Sequence, residues 1–457
     1  MTHSLTRRSP MLLLSICIGA FLSNFTIGSA NVALPTLALA LDTPLNRMQW
    51  IVIGYLLTLT ILLPMMGKLA DRFGMRRIHN IGYIAFAAAS LLAACSQSAP
   101  MLIAMRVLKG AAASMYQATN IGLISAHVPP DRRGQAMGWV SLAVALGAVS
   151  GPLAGGLALH WLSWPWLFAL PALIMAVASI WAIREIPRDA AGQVIRVDGW
   201  GAALFTLAIG MLVLALAQGD AWGWLSASSL GLLAGGAAAL ALFLRRSSRH
   251  PAPFLALAAI ARPGVRTGLI ASGIAFAIAN VALVAIPLHM ASSGGTALHA
   301  GLAVAVYPLA LACTGPLAGR LSDRYGSMPF VWSGLALITI SAAMLAAADG
   351  ALWLQSCALA ISGIGMGALA SPALRLAMHE ASPTDKGAVG GLLALARNLG
   401  ILGGSALGLG LAGESGALLW PMLAAGLLGC GGLAMLGLLG RGRVGQLQDA
   451  EAARLDS

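Results

Sequence analysis

Gly67-Lys-Leu-Ala-Asp71-Arg72-Phe-Gly74-Met-Arg76-Arg77 lies between two long apolar runs. A shorter copy, Gly319-Arg-Leu-Ser-Asp323-Arg324-Tyr-Gly326, lies between two apolar runs in the second half of the chain. A charged tight turn at equivalent points of both halves marks an internally duplicated membrane protein, the signature of a secondary transporter. The turn has a mechanical logic. Gly67 is expected to permit close helix contact and Gly74 a tight reversal. Asp71 can accept hydrogen bonds or face a helix N-terminus, where negative charge is stabilised. Arg72, Arg76 and Arg77 would hold the cytoplasmic side, near anionic lipid. A single copy could be a topological anchor and nothing more; two copies argue for a functional element.

Composition excludes a soluble protein. Of 457 residues, 59% are hydrophobic and 9% charged, against about a quarter charged in a globular domain. The net charge of +12 does not point to nucleic acid, because the basic residues sit in short loops between apolar runs. The five cysteines, Cys17, Cys95, Cys313, Cys357 and Cys430, lie singly inside apolar runs. No disulfide and no metal site are expected. Arg7-Arg8 followed by Met11 to Leu22 mimics a signal peptide, but the run exceeds a signal core and a polytopic chain follows. It reads as an uncleaved first helix.

Fourteen apolar runs between about residues 11 and 440 are long enough to span a bilayer. Ala, Gly and Leu dominate and no period of two is visible, so helices are expected rather than barrel strands. One side collects Arg7, Arg8, Arg72, Arg76, Arg77, Arg132, Arg133, Arg184, Arg188, Arg196, Arg245, Arg246, Arg249, Arg320, Arg324, Lys386, Arg441 and Arg443; the other holds Arg47. That asymmetry places both termini in the cytoplasm. The motif copies follow the second and tenth runs. Two equivalent six-helix halves therefore require two inserted helices between them. The expected organisation is a six-helix bundle at 1–183, a linker with two additional transmembrane helices at 184–266, a second bundle at 267–440 and a mobile cytoplasmic tail at 441–457. Phe254 to Ile260 is expected along the membrane surface.

The fifth run contains Gly147-Ala-Val-Ser-Gly151-Pro152-Leu-Ala-Gly155-Gly156. Glycines at four-residue spacing share a helix face and let backbones approach, and Pro152 invites a bend. Generic helix packing explains most such spacings, but the full string resembles the fifth-helix motif of antiporters in the major facilitator superfamily. The Gly67–Arg77 turn resembles that superfamily's loop between helices two and three. Asn31-Val-Ala-Leu-Pro35, Arg106-Val-Leu-Lys109-Gly110, Trp164-Pro-Trp166-Leu-Phe168, Arg196-Val-Asp198-Gly-Trp-Gly201 and Ala396-Arg397-Asn-Leu-Gly400 resemble signatures of its fourteen-helix drug:proton antiporter branch. The resemblance implies a major facilitator fold: two six-helix bundles plus two inserted helices, with substrate bound between bundles that rock around it. It also implies contact between Asp71 and the start of the thirteenth helix, around Thr384 to Gly387, when the cytoplasmic side closes.

Departures from that branch bear on mechanism. Thr26 stands where the branch carries a helix-one Asp, Lys109 replaces the Gln of its fourth-helix signature, Ala118 replaces a Pro and Pro165 an Arg. None of the 15 acidic residues lies in the middle of a run. The embedded charges are Arg106, Lys109 and Arg397, each costly in a bilayer and so expected to face a central cavity. For Arg106 a structural tie to backbone carbonyls is the alternative. Asn24 and Asn31 share a face beside Thr26, and helix–helix hydrogen bonding is the alternative for both. Lys109 is a candidate proton carrier, because desolvation penalises its charged form. His289, His299 and His379 read as surface residues. Trp161, Trp164, Trp166, Trp222 and Trp224 read as an aromatic belt.

The resemblance implies export of a small amphipathic compound coupled to the proton gradient, through a multi-pass protein of the bacterial inner membrane. The expected partners are a small-molecule substrate and the lipid bilayer, with no cofactor, no nucleic acid and a monomeric state. The basic cavity supports an alternative, a carrier of anionic or neutral metabolites without classical proton antiport. A membrane sensor is more remote, and no nucleophile–base pairing suggests an enzyme. The topology is testable with single cysteines at Ser248 and Ser226. Impermeant reagents should label them from opposite sides of the membrane; labelling from the same side overturns the assignment of the eighth span.

Overall fold

The computed structural model describes residues 5–129, 132–187, 198–250, 253–255, 257–348, 351–381, 386–412 and 417–455. Its helices are α1 (Leu5–Ala40), α2 (Leu45–Met48), α3 (Trp50–Phe73), α4 (Met75–Ala94), α5 (Ala99–His127), α6 (Arg133–Trp161), α7 (Trp166–Glu185), α8 (Gly199–Trp222), α9 (Ala227–Arg249), α10 (Pro263–Ser292), α11 (Ala297–Tyr325), α12 (Ser327–Ala346), α13 (Leu352–Glu380), α14 (Lys386–Ala412) and α15 (Leu419–Leu455). No strand occurs among the described residues. The protein is all-α, as a chain in a bilayer must be if each segment is to satisfy its own backbone. All but α2 are at least 20 residues long, matching the fourteen expected spans. By length and composition alone, 12 stretches qualify to cross a membrane. Helices α4 and α5 are not among them, because Arg76, Arg77, His79 and Asn80 dilute the first, and Arg106, Lys109 and Asn120 the second.

The chain divides into two compact units. The first holds the described residues up to Leu255, together with those of 283–308 and 405–417. Within it α1 packs on α6, α3 on α5, α4 on α5 and α7, and α8 on α9. The α1–α6 seam is made by the glycine face read from the sequence. A Cβ built on Gly151 would lie 2.6 Å from the Phe25 carbonyl oxygen, one on Gly155 3.0 Å from Ser29 Cα, and one on Gly147 would strike the Phe21 carbonyl. Nothing larger than hydrogen fits, so these two backbones touch.

The second unit holds the described residues of 256–282, 309–404 and 418–457. It repeats the device. Gly400 and Gly404 face Gly273 and Ala277 across α10 and α14, and a Cβ on Gly404 would come 2.9 Å from Ala277 Cα. Gly334 of α12 and Gly365 of α13 face each other's carbonyls in the same way, at 2.6 and 2.7 Å from the built Cβ atoms.

One expectation is corrected here. Phe254 is not on a surface. It is 2% exposed and its ring packs on Phe205 and Phe243, centroids 5.7 and 6.4 Å away. Leu257–Ala261 forms a 3₁₀ turn, with Ala259 in an apolar cluster beside Val265, Ala377 and Val389. Apolar side chains offered a protein interior pack there instead of along the bilayer surface. Beyond Arg441 the chain continues helix α15 to Leu455.

The inserted pair α8–α9 is fastened at both ends. Gln49 Nε2 donates to the Ala217 carbonyl near the end of α8 at 2.9 Å. At the other end Asp198 caps α8 by accepting the Gly201 amide at 3.0 Å, and its carboxylate takes Arg246 Nη2 of α9 at 2.8 Å. Burial alone would raise the Asp198 carboxyl. The Arg246 and Gly201 bonds outweigh it and hold the group below its ordinary value. A depressed carboxylate contributes stability above its unfolded pKa and loses it as pH falls through the folded one. Asp198→Ala should therefore lower stability by about 1–3 kcal/mol at neutral pH, seen as a lower melting temperature. The difference from the native protein should shrink on acidification below the usual carboxylate range.

Candidate functional site

Helix α5 buries Arg106, Lys109, Ser114, Thr119 and Asn120 within the first unit. Its start is set by Ser98 in extended conformation followed by Pro100 in the first turn, where a missing N–H costs nothing. Arg106 and Lys109, one turn apart, are both 0% exposed. Sequence reading placed both on a central cavity; each is instead enclosed by packed helices.

Arg106 Nε donates to the Ile51 carbonyl of α3 at 2.6 Å, and its guanidinium lies 4.5 Å from the Tyr55 ring centroid. Among the described residues its Nη1 and Nη2 have no hydrogen-bond partner. The backbone tie considered for Arg106 thus exists. Gly110 makes it reachable, since a Cβ there would strike the Tyr55 carbonyl and lie 3.2 Å from Thr58 Cβ. Lys109 points to other neighbours. Its Nζ stands 4.6 Å from the Phe86 ring centroid of α4 and 5.6 Å from that of Phe168 on α7, with no hydrogen-bond partner among the described residues.

Around these cations lies a polar aromatic group that sequence reading missed. The Tyr55 hydroxyl is 3.0 Å from Ser23 Oγ, and Gln117 Nε2 donates to Ser23 Oγ at 2.6 Å. Tyr83 donates its hydroxyl to the Ser15 carbonyl at 2.5 Å. His79 Nδ1 and Thr119 Oγ1 are 3.0 Å apart. The Tyr83 and Tyr116 rings meet edge to face at 5.1 Å, and Tyr116 meets Phe86 at 5.8 Å. A usable signal existed. The chain has only 5 tyrosines, and three of them interrupt apolar runs of its first half, where a hydroxyl needs a partner.

The remaining site residues fall as follows. Asn24 is half-buried and donates to the Ala20 carbonyl of its own helix at 2.9 Å. Thr26 and Asn31 are buried, and Thr26 Oγ1 and Asn31 Oδ1 are unpartnered. Arg397 belongs to the second unit, half-buried, with Nε unpartnered beside the unpartnered Asn398 Nδ2.

Gly74 and Gly326 carry φ of 96° and 82°, the left-handed region that a side chain resists. Gly67 does not serve close contact, because a Cβ there would meet nothing within 4 Å, and at Gly319 the nearest atom, Ser371 Cβ, is 3.9 Å off. Gly67 faces open space, and a Cβ at Gly319 would make an ordinary contact with Ser371. Asp71 and Arg72 are exposed, and Arg76 Nη2 donates to the Ile183 carbonyl of α7 at 2.7 Å. Asp323 pairs with Arg375 of α13, beside exposed Arg324. Thr384, expected near Asp71, lies outside the described residues.

Pro152 packs against Gly28 of α1. The far side of the same string meets the start of α11. A Cβ on Gly156 would lie 2.7 Å from the Ala297 carbonyl oxygen, and one on Gly301 2.6 Å from that of Pro152.

The sequence model described as Major Facilitator Superfamily matches residues 16–261 and 268–454. Among characterised proteins, the chain is 29% identical to the riboflavin transporter RibZ of Clostridioides difficile (strain 630), over 87% of this chain and 86% of that protein. It is 27% identical to the drug efflux pump JefA of Mycobacterium tuberculosis (strain ATCC 25618 / H37Rv), over 91% and 83%. Among solved structures, the POT family transporter PepTSo superposes with a TM-score of 0.69 at 14% identity, covering 95% of this chain and 98% of that one. A bacterial homologue of the human lysosomal transporter Spinster, inward-facing and unoccupied, superposes with a TM-score of 0.64 at 15% identity, covering 95% and 97%.

The α6–α11 contact generates a test. Gly156→Ala and Gly301→Ala should each cost about 1–3 kcal/mol through overpacking. Each should also raise the alkylation rate of a single cysteine at Leu298 several-fold, as the two backbones part. Gly210→Ala, which adds a Cβ to open space, should change neither.

Proposed function

We propose that this chain, which belongs to the Major Facilitator Superfamily, exports small amphipathic compounds in exchange for protons and prefers neutral or anionic substrates over permanent cations. Membership makes it a multi-pass membrane transporter. Efflux is supported by relatives named as drug efflux pumps and resistance proteins. The substrate preference rests on one observation, the fully buried Arg106–Lys109 pair. Each described acidic residue in the helical part of the first unit stands within three residues of a helix end: Asp71, Glu185 and Asp220. Through the low-dielectric packing a permanent cation would feel the fixed charge of Arg106, and that of Lys109 when protonated, and would find no mid-membrane carboxylate among the described residues of the first unit.

Lys109 is the proposed proton carrier. Its protonated form forfeits several kcal/mol of solvation, while two ring faces return about 2 kcal/mol. Gaining or losing a proton therefore changes the local balance strongly, which is what a coupling site requires. A second reading, a carrier of anionic or neutral metabolites without proton exchange, draws on the same cations and on the relative named as a riboflavin transporter. The protein is proposed to act as a monomer in a bacterial inner membrane with both termini cytoplasmic, without cofactor or nucleic acid.

Proteoliposomes with an imposed pH gradient separate these readings. Fluorescein, riboflavin and ethidium serve as anionic, neutral and cationic probes. Export should follow the gradient and favour the first two. Lys109→Gln should shift or flatten the pH profile while the protein still inserts. Efficient ethidium export, with Lys109→Gln unchanged in pH profile and selectivity, overturns the proposal.

A further inference from the structure

Four side chains on three helices of the first unit form a single chain of contacts. Gln117 Nε2 donates to Ser23 Oγ at 2.6 Å. Ser23 Oγ and the Tyr55 hydroxyl are 3.0 Å apart. The Tyr55 ring lies under the Arg106 guanidinium, 4.5 Å from its centroid, and Arg106 is held by the Ile51 carbonyl at 2.6 Å. Three members are buried: Ser23 is 1% exposed, Tyr55 and Arg106 0%. Gln117 is the exception, and is only partly buried.

This arrangement fixes something that a free glutamine lacks. A carboxamide can turn its oxygen and nitrogen through half a turn at little cost. Here one N–H is committed to Ser23 Oγ, and Ser23 is committed in turn to Tyr55. That bond turns the nitrogen of Gln117 toward Ser23 and leaves its oxygen and second N–H to pair with another group. A donor beside an acceptor is complementary to a group with the same pair reversed, such as an amide, an imide or a carboxylic acid. The chain also gives Arg106 work that its burial leaves unexplained. A guanidinium sealed from solvent contacts no substrate, but it holds the Tyr55 ring, and so the hydroxyl, in place.

We infer that Gln117 is a substrate contact that recognises an amide-, imide- or carboxylic-acid edge, with Ser23, Tyr55 and Arg106 as its positioning residues. The inference deepens the reading of the protein as an exporter of neutral or anionic amphipathic compounds and rests on it for the direction of transport alone. Discrimination follows from geometry. A site that offers paired polar groups loses much of its affinity for an analogue that leaves them unpaired.

Riboflavin, whose ring carries an imide edge, and N3-methylriboflavin, in which that N–H is capped, are the probes. Binding to purified native protein and variants is read by flavin fluorescence quenching, with melting temperatures as a check on folding. Native protein should prefer riboflavin by about ten-fold, the ratio expected for one well-made hydrogen bond to a fixed group. Gln117→Leu and Gln117→Met should abolish the preference. Ser23→Ala and Tyr55→Phe, which leave Gln117 and the ring over Arg106 in place, should reduce the ratio together, and the double variant should be no worse than either single one. Ser23→Thr, which restores a hydroxyl, should recover it. Equal binding of both probes by native protein, binding of neither, or a preference that survives in a folded Gln117→Leu protein overturns the inference. Gly210→Ala, whose added Cβ meets open space, should leave the ratio unchanged, and failure of the proton-carrier proposal is read separately, from the pH profile of transport by Lys109→Gln.

Discussion

Direct backbone contact between helices is the constraint on which both units rest. In hydrocarbon, apolar side chains gain little by meeting one another, so association depends on close packing and on polar groups. Glycine supplies the first. Gly147, Gly151 and Gly155 bring α6 against α1, and Gly400 and Gly404 bring α14 against α10. The duplication announced by the two charged turns is thus also a duplication of packing. The same face leaves Gly156 to meet the start of α11, so a short string serves two seams.

Close packing has an electrostatic consequence. Helices that touch through glycine leave no room for water, and any charge caught between them must find protein partners. Arg106 finds a carbonyl and a ring; Lys109 finds two rings. The two cations are one turn apart but serve different seams. Arg106 is directed at α3, where it is tied down, and Lys109 at α4 and α7, where no described residue accepts a hydrogen bond from it. The difference separates a cation tied by a hydrogen bond from one held by ring faces.

The inserted helices are part of the first unit. Lys68, within the charged turn's sequence, donates to the Pro253 carbonyl at 2.7 Å and lies 5.7 Å from the centroid of the Phe254 ring. That ring joins Phe205 and Phe243, while Ser247 Oγ donates to the Leu255 carbonyl at 3.0 Å. With Gln49 bonded to Ala217 at the opposite end, α8 and α9 are braced against the helix that carries the turn.

Sequence alone determined the fold class, the fourteen long helices, the duplicated turns and the glycine face of α6. Each depends on composition or on spacing along a helix, which a single chain records directly. It also pointed to Gly74 as the residue of a tight reversal, and Gly74 and its counterpart Gly326 both carry a left-handed backbone. Tertiary structure decided the rest. Gly67 looked like a contact glycine and faces open space; Phe254 looked interfacial and is buried. The Ser23–Tyr55–Gln117 chain joins three helices, and the rings around Lys109 come from two others. Such groups are distant in sequence, and their meeting depends on how each helix is rotated about its axis. In an evenly apolar helix no amphipathic pattern records that rotation, so only the packed structure could assign the neighbours of Arg106 and Lys109.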